Sequence, residues 1–186
     1  MTNFAAAMRR VITGDNAKGE SLVIVDGPPA STTGPVDLGG LFDIWHDKTS
    51  GPLDPRDHRD LGPKRPVLSP DSGHVKVRWF VINPRPPGVP AEQLNAAVRQ
   101  RFASFGAEHH LTDQSKHPAM HRTESIDVIC LLQGEVDLIL DNSVTRIKPG
   151  QIVIQRGTSH GWEAYDGPAL LLAVLIHRPL VDSGRS

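Results

Sequence analysis

Residues 140–162 read LDNSVTRIKPGQIVIQRGTSHGW. Asp141-Asn142 is a two-residue turn whose side chains tolerate positive φ. Lys148-Pro149-Gly150 and Arg156-Gly157-Thr158 make two further turns. Between them, SVTRI (143–147) and QIVIQ (151–155) carry the β-branched residues of strands. Upstream, DVICLL (127–132) and EVDLIL (135–140) are joined by Gln133-Gly134, and downstream ALLLAVLIH (169–177) closes the series. Strands recurring roughly every ten residues, with turn chemistry between them, predict an antiparallel all-β sandwich or barrel.

Moving outward, HVKVRWFVI (74–82) alternates as a strand and is stopped by PRPPGVP (84–90). AEQLNAAVRQRFASF (91–105) places Leu94, Ala97, Val98, Arg101, Phe102 and Phe105 on one helical face. Gly106 follows at the C′ position. SLVIVD (21–26) reads as a buried strand. LFDIWHD (41–47) alternates, with Leu41, Asp43 and Trp45 opposite Phe42, Ile44 and His46. Phe4, Met8 and Val11 recur at helical spacing. Residues 48–73 lack periodicity, as functional loops often do.

The chain has 186 residues, enough for one domain. Its 17 Gly and 16 Pro favour turns over long helices. Twenty basic residues against 21 acidic ones provide no field for nucleic acid or an anionic membrane. One cysteine, Cys130, excludes an internal disulfide framework and a thiolate zinc cluster. The apolar run 169–176 is far short of the ~20 residues that span a bilayer. MTNFAAAMRR lacks the apolar stretch of a secretory leader, so a cytoplasmic protein is expected.

Two histidines stand out by position. His121 opens the hairpin series in MHRTESID, and His160 follows the last of its turns. Side chains alternate along a strand, so His121, Thr123, Ser125 and Asp127 share one face of an extended segment. Two imidazoles and a carboxylate are a common protein share of a non-haem iron or catalytic zinc site. His117 has the same parity, but four residues of strand span ~13 Å and only a bulge near Pro118 brings it in. Cys130 has the opposite parity to Asp127 and should point away. Arg156, on the loop of His160, suits a substrate carboxylate, with Gln155 beside it. Trp162, Trp45 and Trp79 could wall an apolar pocket.

These residues resemble the cupin superfamily over about a third of the chain, 117–177. The family's first motif, G-x5-H-x-H-x3,4-E-x6-G, is met as His121-x-Thr123-x3-Asp127-x6-Gly134. The second, G-x5-P-x-G-x2-H-x3-N, is approached by Gly150-x6-Gly157-x2-His160, one residue shorter between glycine and histidine than the family's pattern. Thr123 replaces the second histidine, Asp127 the glutamate and Gln155 the proline, and Ala164 stands where the final asparagine would be. The resemblance implies a cupin-like jelly-roll β-barrel with one flanking helix, formed by 74–178 and preceded by an N-terminal arm, 1–73. It implies a divalent metal (Fe, Mn, Ni or Zn) on His121, Asp127 and His160. It also implies a small carboxylated or aromatic substrate held by Thr123, Gln155, Arg156 and Trp162, with His121 and His160 catalytic. Oxygenation or decarboxylation is the chemistry such a metal supports. The alternatives are a metal-free isomerase or epimerase working by acid–base chemistry at the two histidines, and a non-catalytic small-molecule-binding protein.

The expected partner is a second copy of the chain, because the apolar strands of the arm exceed what one small barrel needs and unpaired edges invite pairing. Sedimentation at tens of micromolar should give a homodimer, and a monomer would refute this.

Overall fold

The structure is a computed structural model and describes residues 4–34, 36 and 39–181. Eleven strands and two α-helices follow in order: α1 (Phe4–Ala7), β1 (Arg10–Asp15), β2 (Ser21–Gly27), β3 (Ser31–Thr32), β4 (Gly40–Lys48), β5 (His74–Ile82), α2 (Ala91–Ser104), β6 (Ser125–Gln133), β7 (Val136–Leu140), β8 (Val144–Ile147), β9 (Ile152–Arg156), β10 (His160–Ala164) and β11 (Ala169–His177). No helix among the described residues is long and apolar enough to cross a membrane.

The hairpin series forms the two facing halves of a barrel. The larger sheet has the order β3-β4-β5-β11-β6-β9 and the smaller β10-β7-β8. Every strand pair is antiparallel. Successive strands therefore swap sheets: β6 goes to the large one, β7 and β8 to the small one, β9 back, β10 across again and β11 back. Isolated bridges Leu111↔His121 and His121↔His160 extend the small sheet beyond β10. The core lies between the sheets, where Ile129 and Leu131 of β6 and Leu171 of β11 meet Val136, Leu138, Ile147 and Trp162. The β6–β7 turn needs glycine. Gly134 has φ +83°, and a Cβ there would stand 2.8 Å from the Pro168 carbonyl oxygen.

Val11 belongs to strand β1, not to a helix, which stops at Ala7. β2 is a strand but not a buried one: it pairs only with β1, and Leu22 and Val23 are exposed. HGWEA (160–164) is a strand, β10, although its glycine and short length hide it in the sequence. In β4 the register shifts between Asp43 and Trp45. Directly paired residues share a face, so Asp43 opposite Arg78 and His46 opposite Lys76 both face inward, whereas simple alternation separates them. Phe4 of α1 and Met8 just after it pack over the outer face of the large sheet at Phe42, Trp79 and Leu170.

Residues 49–73 are irregular but tied to the barrel. Lys76 Nζ donates to the carbonyls of Val67 and Ser69, at 2.8 and 2.6 Å, and Arg78 Nη1 to that of Leu68 at 3.1 Å. Arg10 binds Asp60 through two bonds of 2.7 and 2.6 Å, holding the β1–β2 hairpin to the same loop. Arg78 is also ion-paired with Asp43 at 2.7 Å, with both side chains out of solvent.

Removing one member of such a pair strands the other charge in the interior. Asp43→Ala should cost about 3–5 kcal/mol in urea denaturation. The double variant Asp43→Leu/Arg78→Met, which removes both charges, should lose less than Asp43→Ala alone.

Candidate functional site

The barrel opens into a cavity of about 390 Å³. Its wall is mostly apolar, with Phe80 and Ile82 from β5, Trp162 from β10, and Leu94, Val98 and Phe102 from α2. α2 lies over the barrel mouth because its apolar face, as spaced in the sequence, has nowhere else to be buried. Phe102 and Phe105 pack there against Leu68 of the long loop.

His121 and His160 meet on this wall. Each donates its backbone N–H to the other's carbonyl at 2.9 Å. In an antiparallel pair that double bond sets the two residues directly opposite each other on one face, and the ring centroids are 4.3 Å apart. His121 Nδ1 is 2.8 Å from the Ala119 carbonyl and His160 Nδ1 is 3.0 Å from that of Thr158. A carbonyl only accepts, so both Nδ1 atoms carry hydrogen and both Nε2 atoms present lone pairs. Burial, with His160 alongside, pushes His121 down to about 3; burial pushes His160 down to about 4. Both are neutral imidazoles at physiological pH.

Asp127 lies on the same wall, one strand away, on β6. Ser125 Oγ donates to its Oδ1 at 2.6 Å, and Thr123 Oγ1 is 2.8 Å from Ser125 Oγ. Burial pushes Asp127 up to about 6, against the Ser125 and Thr123 hydroxyls and the charge of Arg78. His121, Asp127 and His160 thus share one cavity, as strand parity implies. They are not a closed ligand set, however. Among the described residues, the one triad of His, Cys, Asp or Glu with ligand atoms all within 4.8 Å of one another is His46, Asp71 and His74, elsewhere in the molecule. The imidazole pair suits a divalent ion, with Nδ1 anchored and Nε2 free. Asp127 is held back by Ser125.

The substrate residues expected from the sequence separate. Trp162 lines the cavity. Thr123 is buried and reaches Asp127 through Ser125. Gln155 is buried but turned to Thr158, whose hydroxyl and carbonyl take its amide. Arg156 is exposed and does not line the cavity, because it follows inward-facing Gln155 by one residue and so takes the opposite face. The cations at the cavity are instead Arg78, Arg85 and Arg101. No ion-pair partner for Arg101 occurs among the described residues.

His117 also reaches the cavity. The chain folds back at 117–120, where the Met120 N–H bonds the His117 carbonyl at 3.1 Å, so the extended distance does not apply. Its Nε2 donates to Glu163 Oε2 at 3.1 Å, and Glu163 also pairs with Arg85. Burial alone would raise the Glu163 carboxyl, but His117 and Arg85 outweigh it and hold it below the usual range. Gly161 makes room: a Cβ there would lie 2.8 Å from His117 Nδ1.

The opposed shifts of Asp127 and the histidines are separable in metal-free, chelator-treated protein. From about pH 4 to 6 folded Asp127 keeps a proton that the unfolded chain releases, so its contribution falls as pH rises. The histidines do the reverse up to about pH 6.5, because unfolded imidazoles bind protons that the folded ones refuse. Wild type should therefore gain stability across this window. Asp127→Asn should gain more steeply and exceed wild type above pH 6 by about 2–3 kcal/mol in urea denaturation.

No family model matches the chain. A 44-residue segment is 57% identical to phomopsin biosynthesis cluster protein C′, and likewise to protein D, of Diaporthe leptostromiformis, covering 23% of this chain and 23% of each relative. A 68-residue segment is 35% identical to the cupin-domain-containing oxidoreductase virC of Hypocrea virens, covering 33% of this chain and 35% of that protein. Among solved structures, the cupin domain of Schizosaccharomyces pombe Cnp3 covers 91% of this chain and 88% of its own at 10% identity, with a TM-score of 0.45. Strands that wind alternately between two facing sheets form a double-stranded β-helix, and its two motif histidines meet where β10 returns to the segment before β6. That winding is a cupin-like fold, and a third of the chain is similar to a segment of a cupin-domain-containing oxidoreductase.

Proposed function

We propose that the protein is a cupin enzyme acting on a small, largely apolar molecule that carries an anionic group. The observation that carries this is the pair of neutral imidazoles, Nδ1 anchored and Nε2 free, at the wall of an apolar cavity. A divalent ion held by His121 and His160 would supply Lewis acidity and open positions for substrate or oxygen, the requirement of a decarboxylation or an oxygenation. Trp162, Phe80 and Phe102 bury the apolar body of the substrate and exclude water. Arg101, at the cavity on α2, binds its carboxylate and takes the part that the sequence gives to Arg156. The oxidoreductase named for the Hypocrea virens relative agrees with redox chemistry at this site.

A second reading, metal-free acid–base chemistry, is favoured by Asp127. It stands apart from the imidazoles on the same wall, and burial raises its carboxyl to about 6, close enough to neutrality to exchange a proton.

Assembly as two copies fits the outer face of the large sheet. α1 covers one part of that face, and Ile152 and Ile154 of β9 remain 61% and 55% exposed beside Leu132 of β6. Apolar area of this kind is what a second copy would bury.

Bound metal per chain after dialysis against Fe(II), Mn(II), Ni(II) or Zn(II) separates the two chemistries. Wild type should bind at this site, and His121→Ala and His160→Ala should each remove that binding. His117→Ala should leave it, and Thr123→His should tighten it by restoring an imidazole beside Asp127. If His121→Ala and His160→Ala bind as much metal as wild type while Thr123→His gains an equivalent, the natural site is metal-free.

A further inference from the structure

The shift of register in β4 brings a second set of ligands together. His46 faces inward opposite Lys76, and His74 faces inward opposite Lys48. Both lie toward the end of the β4–β5 pair away from Phe80 and Ile82, the cavity-lining residues of β5. Their rings stack with centroids 4.9 Å apart and planes 24° from parallel. Asp71, from the loop that enters β5, lies against them with Oδ2 3.7 Å from His46 Nε2. One ligand atom from each of the three falls within 4.8 Å of the other two.

The hydrogen bonds leave lone pairs where a cation could take them. His74 Nδ1 donates to the Ser72 carbonyl at 2.9 Å, so in the neutral ring Nε2 holds the lone pair. His46 Nε2 accepts the Asp71 backbone N–H over a long 3.3 Å, so it too carries no proton. The His46 lone pair is thus held only by that long backbone bond, with Asp71 Oδ2 3.7 Å away, and a cation joining the two would take its place. Lys76, opposite His46, does not fill the role, because its ammonium is committed to the carbonyls of Val67 and Ser69. His177 accepts the Gly73 N–H through Nδ1, which places its own proton on Nε2 and leaves it outside the set.

We propose that His46, Asp71 and His74 form a second divalent-metal site, separate from the cavity, for a borderline ion such as Zn(II), Ni(II) or Co(II). Two imidazoles and one carboxylate are the donors those ions favour, and the exposed Asp71 side chain leaves the remaining positions to water. The site joins the end of the 49–73 loop to the large sheet. That loop also supplies the carbonyls that receive Lys76 and Arg78, and its Leu68 packs on Phe102 and Phe105 under α2. Metal at this position clamps the loop that backs one wall of the cavity. The proposal does not depend on what the cavity binds.

The test uses the full chain carrying His121→Ala and His160→Ala, so that any metal in the cavity is absent. Equilibrium dialysis against Zn(II) should retain one equivalent per chain. Adding Asp71→Asn should weaken binding at least tenfold, and adding His46→Ala and His74→Ala should abolish it. Asp71 is exposed, so its variant tests the site without disturbing the core. Zn(II) should also slow proteolysis within 49–73 in the His121→Ala/His160→Ala protein but not once His46 and His74 are replaced. Binding that survives Asp71→Asn and His46→Ala/His74→Ala unchanged, or no retained equivalent before those changes, overturns the proposal.

Discussion

The reciprocal backbone bonds between His121 and His160 hold the site together. They are an isolated bridge, not part of a long ladder, yet they add the segment before β6 to the edge of the small sheet. Opposed residues in such a pair have no freedom to face apart, so two imidazoles that are 39 positions distant in the chain become neighbours. The backbone then completes the arrangement. Carbonyls two residues before each histidine take its Nδ1 proton and fix which nitrogen faces the cavity. The site's chemistry is thus set by main-chain geometry before any substrate arrives.

The two sheets divide the work of the barrel. The small sheet and the facing parts of β6 and β11 provide apolar packing. The inner face of β4, β5 and β6 is polar instead, with Asp43, Lys76, Arg78, Ser125 and Asp127 all buried. Such groups are tolerated only when satisfied. The loop carbonyls of Val67, Leu68 and Ser69 accept hydrogen bonds from the two cations, and Asp43 is ion-paired with Arg78. The irregular 49–73 segment is therefore a structural component of the interior. Its lack of periodicity follows from that role, because it presents carbonyls and not a repeating apolar face.

The two ends of the large sheet also differ. At one end β5 contributes Phe80 and Ile82 to the cavity under α2. At the other, His46, His74 and Asp71 gather in a polar cluster at the foot of the loop. A bulge between Asp43 and Trp45 allows both, since it lets one strand place a core carboxylate and a ligand histidine on the same face.

Much of the fold was legible in order along the chain. Alternation, turn residues and close spacing mark β5, β6, β7, β8, β9 and β11, and the 3.6-residue period marks α2, because these signals depend on local geometry alone. Parity likewise put Asp127 with His121 and turned Cys130 outward. Tertiary structure decided what local geometry does not encode. It folded 117–120 back so that His117 met Glu163, turned Gln155 to Thr158, and left Arg156 on the outside while Arg101 came to the cavity from α2. It also shifted β4 by one residue and so joined His46 to His74. The sequence by itself determined which segments become strands and which residues on each strand share a face. The pairing of distant edges, the placement of a bulge and the path of a turn depend on contacts between segments far apart in the chain, so only the folded barrel could decide which faces meet.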